Sequence, residues 1–441
     1  MYKFTQGSEN INSNAGLSLV SKRLNNNSAF ELWNNLGSTA SNLKYRNANV
    51  IRSMIGMITL GYSDFNDIVK LQNDSLFLKV ADGQIPSEAT HRQRLESIAC
   101  EDWQRILDQC VVVELKKTFL TPVLVAGEEL IPLDIDVSVF ADTSSQKEGI
   151  GMTYQKVKGY APIFCYAGLE GYMVANELRH GSQHSANGAV DFVKRCIDIM
   201  TKSGYAAEKL FVRVDSGHDD SAFIEALIKA NVKYIVKRNL RRESPYQILD
   251  SIRSSADMET NRPGKVTYTG FRSDRKPAGL EEYCGFMAVR AVERTITSQG
   301  ERLLLPSVDV ACWWTNLVVP ADECYQLYRD HATSEQFHSE LKHDLGIELL
   351  PSGKMETNAL ILGLTTFAHN VLRFIGQSAL QMTSQKTKDP EKLPLRYRLR
   401  TVLLDYMKVG CKIVSHANRI WLKFGRSCPA FTFLEKIYAM C

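Results

Sequence analysis

Two aspartates, Asp134 and Asp136, lie two residues apart in Ile131–Phe140, a stretch otherwise rich in β-branched residues. In a strand this spacing puts both carboxylates on one face, opposite Leu133, Ile135 and Val137. Aspartate is depleted in strands, and a buried carboxylate needs a cation beside it. The pair therefore reads either as a solvated edge or as a ligand for a divalent metal. Asp215 follows the apolar run Leu210–Val214 and precedes Ser216 and Gly217. That is the carboxyl end of a buried-type strand, where open α/β sheets gather their ligands, although a plain turn residue would sit in the same surroundings. Glu335 falls in Thr333-Ser334-Glu335-Gln336. The spacing is that of a capping box and predicts a helix from Thr333 to about Leu345, with Glu335 in its first turn, where the helix dipole favours a carboxylate. Lys342, seven residues on, would share nearly the same face. Carboxylates from two strands and a helix offer the hard oxygen ligands that Mg²⁺ takes. A two-ion site can activate water and stabilise the leaving oxygen in phosphodiester cleavage.

Competing chemistry finds no motif. The sequence has no Walker A loop, no G-x-S-x-G, no G-x-G-x-x-G and no His-Glu-x-x-His. His331, Glu335 and His338 resemble half of a di-iron motif, but there is no second copy.

The elements that must carry these residues change along the chain. Residues 1–125 read as mostly helical, with helices expected near Ala29–Leu36, Val50–Met57 and Asp64–Leu71. Ser87 can cap a further helix through His91, Arg92 and Arg94 to Ile98, which suits either a helix-turn-helix reader or a surface helix. From about Thr121 strands dominate: Ile131–Phe140, Ala161–Ala167 and Tyr172–Leu178. They are followed by helix Ala189–Thr201, strand Leu210–Val214, helix Ser221–Ala230 and strand Lys233–Lys237. That alternation predicts a mixed sheet with helices packed on it. Segments Lys265–Phe271, Phe286–Thr295 and Leu303–Leu317 read as an all-strand insert. After Pro320 the chain returns to helix.

Composition bounds the rest. With 441 residues, 44% hydrophobic and 23% charged, the chain reads as a multidomain globular protein and not as a disordered or collagen-like one. Its polar N-terminus lacks a signal-peptide core, and the apolar run Ala359–Ala368 is too short to span a bilayer, so a soluble, unexported protein is expected. The ten cysteines are scattered without any Cys-x-x-Cys, as reduced thiols would be. Net charge is +4, yet Ser384–Arg426 holds eleven Lys/Arg against three Asp/Glu, a local +8, which leaves −4 for the remainder. A basic segment on an acidic body suits a polyanionic partner or a solvated helical face.

The run Tyr328 to Lys342 resembles the signature of DDE transposases of bacterial insertion sequences with a β-strand insertion, Y-x2-R-x3-E-x6-K. Tyr328, Glu335 and Lys342 match it in identity and spacing, while His331 stands at the arginine position. Asp344–Lys354, Leu133–Ser138 and Val212–Gly217 also resemble this family. The resemblance maps the first catalytic aspartate to Asp136, with Asp134 as the alternative, the second to Asp215 and the glutamate to Glu335. It implies a ribonuclease H-like α/β fold, a mixed sheet with helices interrupted by an all-β insertion, plus helical N- and C-terminal regions. The boundaries then fall at 1–125 for a DNA-binding region, 126–239 and 321–383 for the two parts of the catalytic core, 240–320 for the insertion and 384–441 for a basic helical region. The family's activity is cleavage at insertion-sequence ends and strand transfer with two Mg²⁺ ions, Mn²⁺ being an accepted substitute. Partners would be double-stranded DNA at inverted repeats and target, and a second copy, with no membrane, in the bacterial cytoplasm at the nucleoid. Tyr328 and Lys342, with His331 and Arg329, would contact DNA phosphates. Imidazole in place of guanidinium implies a weaker phosphate clamp, which His331→Arg would strengthen. A nuclease without strand transfer and an inactive DNA-binding derivative are the alternative readings.

Overall fold

The computed structural model describes residues 2–37, 44–143, 146–272, 274–417 and 419–441. Apolar runs rich in Val, Ile, Phe and Tyr form its central sheet, with strands β1 (Glu128–Val137), β2 (Ile163–Ala167), β3 (Tyr172–Glu177), β4 (Leu210–Val214) and β5 (Lys233–Lys237). From Leu130 to Ile135 every residue of β1 is buried, as a strand covered on both faces requires. β1 pairs antiparallel with β2 and β2 with β3; β1 runs parallel to β4, and β4 to β5.

Residues 240–320 supply β6 (Asp257–Arg262), β7 (Lys265–Arg272), β8 (Phe286–Ile296) and β9 (Arg302–Thr315). They extend the same sheet, since β9 pairs antiparallel with β5. The order is β6-β7-β8-β9-β5-β4-β1-β2-β3, and Val123–Val125 pairs with β1 as a tenth strand. The segment is not all strand. Helix Pro245–Ile252 precedes β6, with Pro245 at its first position and Ile248, Leu249 and Ile252 buried on one side. Eight residues give too short a period for sequence reading to separate it from a loop.

A 30-residue helix, Met355–Ser384, fills the centre. It is long and apolar enough to cross a membrane by length and composition, but 89% of its apolar window is buried inside the protein. Its polar residues serve the sheet edge. Asn370 Oδ1 accepts from the Met173 amide and Asn370 Nδ2 donates to the Met173 carbonyl, both at 2.8 Å, in place of a neighbouring strand for β3.

Around it pack the N-terminal helices, among them Leu17–Asn25, Asn47–Ile58, Glu88–Ala99 and Trp103–Leu115. Ser87 caps helix Glu88–Ala99, whose His91 and Leu95 point inward and whose Arg92 is exposed. The expected helix near Ala29–Leu36 is a 3₁₀ run, Ser28–Asn35. The C-terminal region is not wholly helical. Cys411–His416 and Arg419–Lys423 form a hairpin, and Ile11–Asn12 pairs with its first strand. The alternation of Ile413, Leu422 and Phe424 with polar neighbours has the period of a strand, and the surrounding basic residues obscured it.

Candidate active site

β1 ends beside a helical run that spans residues 321–344. The run is an α-helix Ala321–Arg329, a 3₁₀ turn Asp330–Thr333, an α-helix Ser334–Ser339 and a π-turn Glu340–Asp344. The capping box expected at Thr333 does not form. Thr333 has helical backbone (φ −62°, ψ −24°) and no side-chain cap. The helix begins at Ala321, after Pro320, so Glu335 lies inside the run and gains little from a helix N-terminus. Changes of helical pitch on both sides of Glu335 set its direction and that of Lys342; such pitch changes often mark functional positions. Phe337 anchors the run against the β2–β3 turn. Gly171 there has φ +74°, and a Cβ on it would collide with the Phe337 ring.

Between β1, β4, β5 and this run lies a cavity of about 660 Å³. Asp136, Asp215 and Glu335 all line it. Asp136 keeps 21% of its side chain exposed. It accepts from the Val137 amide (2.8 Å), Ser334 Oγ (3.3 Å) and His338 Nε2 (3.3 Å). Burial resists its ionisation. The hydrogen bond and charge of His338, the charge of His331 and the Val137 amide outweigh that and hold the carboxyl below its ordinary range. Asp215 is 45% exposed at the end of β4, and its Oδ1 accepts from the Gly217 amide (3.0 Å) and contacts His218 Nδ1 (2.9 Å). Glu335 is exposed to the cavity. Their charges reach the same place: the Tyr154 phenol is raised by burial first, then by Asp136, Asp215 and Glu335.

Asp134, the alternative first aspartate, is absent from the cavity wall. It is 4% exposed and takes both prongs of Arg213 at 2.7 Å, with His331 Nδ1 at 2.9 Å. Arg213 also donates to the Leu327 carbonyl (2.8 Å), so this ion pair ties β1 and β4 to the helical run.

Tyr328, Arg329, His331 and Lys342 all border the cavity. Arg329 is exposed. The Tyr328 phenol is raised by burial and by Asp215, Asp136 and Asp134, and its ring sits 5.6 Å from that of Trp313. Lys342 donates to the Val139 carbonyl at 2.6 Å, and burial lowers its ammonium pKa. His331 is 5% exposed and engaged with Asp134. Sequence reasoning missed Tyr154 and Lys237, which complete the wall. Tyr154 lies in a loop without a motif, and Lys237 looks like the ordinary polar end of a strand. Trp313 and Trp314 take opposite faces of β9, and both are buried. Trp313 reaches the cavity, whereas Trp314 Nε1 donates to Asp219 (2.9 Å).

The model of the family described as Transposase DDE domain group 1 matches residues 4–440. The chain belongs to this family of DDE transposases. No curated protein matches it. Among solved structures it is similar to a piggyBac transposase in a synaptic complex with hairpin DNA. The identity is 10% and the TM-score 0.41, over 91% of this chain and 83% of that one. As donors, the three carboxylates of this DDE transposase suit a hard divalent cation. Among the described residues no three His, Cys, Asp or Glu side chains form a group that could hold one ion.

Proposed function

We propose that this DDE transposase cuts DNA at the ends of a mobile element and joins those ends to target DNA, with Asp136, Asp215 and Glu335 as its catalytic carboxylates. The observation that carries this reading is the convergence of three carboxylates from three separate segments on one cavity that also bears Arg329, Lys237 and Lys342. The strand order β3-β2-β1-β4-β5, in which β2 alone runs opposite to the other four, supports a ribonuclease H-like core.

Two Mg²⁺ ions, with Mn²⁺ as a substitute, would supply activation of the attacking oxygen and stabilisation of the leaving one. The protein's own side chains do the rest. Ser334, His338 and the Val137 amide hold Asp136 in one orientation. Arg329, Lys237 and Lys342 give positive charge to a phosphodiester backbone lying in the cavity, and Tyr328 forms its floor with Trp313. Joining two ends calls for at least two copies on DNA, and the setting would be the cytoplasm of a bacterium, at the nucleoid.

The test is cleavage and strand transfer on the element's own end sequence with Mg²⁺ or EDTA, comparing wild type with Asp215→Asn. Metal-dependent joining that the substitution abolishes is the expected result. Cleavage without joining would make the protein a nuclease, and end binding without cleavage would make it an inactive derivative.

A further inference from the structure

The C-terminal hairpin has two unlike faces. Cross-strand partners share a face, so Lys412–Lys423, Val414–Trp421 and His416–Arg419 stand together on one side, and Ile413–Leu422 and Ser415–Ile420 on the other. Ile413 and Leu422 pack on the main core, and Ile413 N donates to the Asn10 carbonyl at 2.8 Å, which pins the ribbon to the body. The first face is turned outward. Lys412, His416, Arg419 and Lys423 are exposed, and Trp421 keeps 53% of its surface in solvent.

This face is costly to keep without a ligand. Lys412 and Lys423 lie directly opposite each other, and like charges so placed destabilise a strand pair. Lys412 is relieved by Glu9 at 2.6 Å, but among the described residues neither Arg419 nor Lys423 has an ion-pair partner. Between Tyr406 and Leu434 the sequence contains five Lys/Arg and no Asp or Glu. An exposed indole flanked by unpaired cations, on a ribbon that is two strands wide beyond the Ile11–Asn12 pairing, has the shape and charge to lie along a polyanion. The major groove of double-stranded DNA admits a two-stranded ribbon.

We propose that the ribbon Cys411–Lys423 is a second DNA-docking element, outside the carboxylate cavity, which sets Arg419, Lys423 and Lys412 on backbone phosphates of double-stranded DNA and Trp421 on the sugars or base edges between them. The choice of DNA over another polyanion rests on the proposed function above. A bound phosphate backbone would remove the repulsion between Lys412 and Lys423, so the unfavourable pair becomes part of the binding energy.

The experiment uses the full chain and a 30-base-pair duplex of arbitrary sequence, with binding followed by fluorescence anisotropy over a range of salt concentrations. Each lost phosphate contact lowers the slope of log K against log salt by about 0.9, so Arg419→Ala with Lys423→Ala is expected to lower it by about 1.8 and to weaken binding at about 0.1 M salt by on the order of 50-fold. Trp421→Ala should weaken binding with the slope unchanged. All three side chains are exposed, and the melting temperature checks that the variants are folded. An unchanged slope and affinity in the double variant, with wild type binding normally, would overturn the ribbon and leave the proposed function standing. Wild type without affinity for duplex would overturn both. Variants that keep duplex binding but lose phosphatidylserine vesicles would make the ribbon a lipid-surface element and overturn the proposal.

Discussion

His338 is held between Asp136 and Tyr166: its Nε2 lies 3.3 Å from Asp136 Oδ2 and its Nδ1 3.2 Å from the Tyr166 hydroxyl. Burial pushes the Tyr166 phenol well above its usual range, so it keeps its proton, and the Nε2 edge of His338 faces the Asp136 carboxylate. Partners that orient a metal-binding carboxylate are typically worth 10–100-fold in activity or metal affinity. His338→Ala should therefore lower cleavage by about 10–100-fold with duplex affinity unchanged, and His338→Gln should restore part of it. Wild-type cleavage in the alanine variant would show that Asp136 needs no such support.

The two aspartates of β1 should separate by phenotype. Asp136→Asn is expected to abolish cleavage and to change unfolding stability by less than about 1 kcal/mol, because its side chain is partly solvated. Asp134→Ala strands the buried Arg213 and should cost about 3–5 kcal/mol in urea unfolding. If the stability losses came out reversed, the roles assigned here would be exchanged.

His331→Arg should not strengthen a phosphate clamp. His331 already donates to, or shares a proton with, the carboxylate that neutralises Arg213, and a guanidinium there would bury a second cation against the same Asp134. The expected result is a loss of about 1–3 kcal/mol in stability and no gain in strand transfer. Faster strand transfer at full stability would restore the view that this position grips DNA.

His91 predicts an acid limb in stability. It is fully buried, with Nε2 3.3 Å from the Val50 carbonyl and Nδ1 without a partner among the described residues, and burial lowers its pKa from 6.5 to about 4. Between those values the unfolded chain binds the extra proton. The stabilisation is present above pH 6.5 and is lost as pH falls toward 4, by about 3 kcal/mol. His91→Phe, beside Phe65, should flatten that limb in urea titrations at pH 7 and pH 4.5; an equally steep limb would assign it to other groups.

Much of the architecture was legible because its elements are long and periodic. The apolar runs of β1, β4 and β5 could be little else, and Ser87 marked its helix start. What escaped depended on tertiary contacts. Thr333-Ser334-Glu335-Gln336 has the letters of a capping box, but the run had already begun at Ala321, and continuity of the helix overrode the local signal. Asp134 and Asp136 are alike in sequence; only the position of Arg213 on the neighbouring strand makes one a buried ion-pair partner and leaves the other in the cavity. His331 stands at the arginine position of the motif, and nothing local reveals that it reaches Asp134, 197 positions away. The hairpin at 411–423 lies in a basic segment, and its alternation is too short to stand out from the helical pattern expected there.

The pairing of Ile11–Asn12 with Cys411–Lys412 also has a consequence for synthesis. A ribosome makes the chain from the N-terminus, so for some 400 residues the first strand has no partner, and helix Leu17–Asn25 lacks the C-terminal helix Phe431–Met440 that covers it. Closing a loop of that length is an entropic cost met only at the end. The nascent protein is expected to carry an unfinished N-terminal layer until residues 411–440 have been made, and removing Phe431–Met440 should be read out as instability of the first helices.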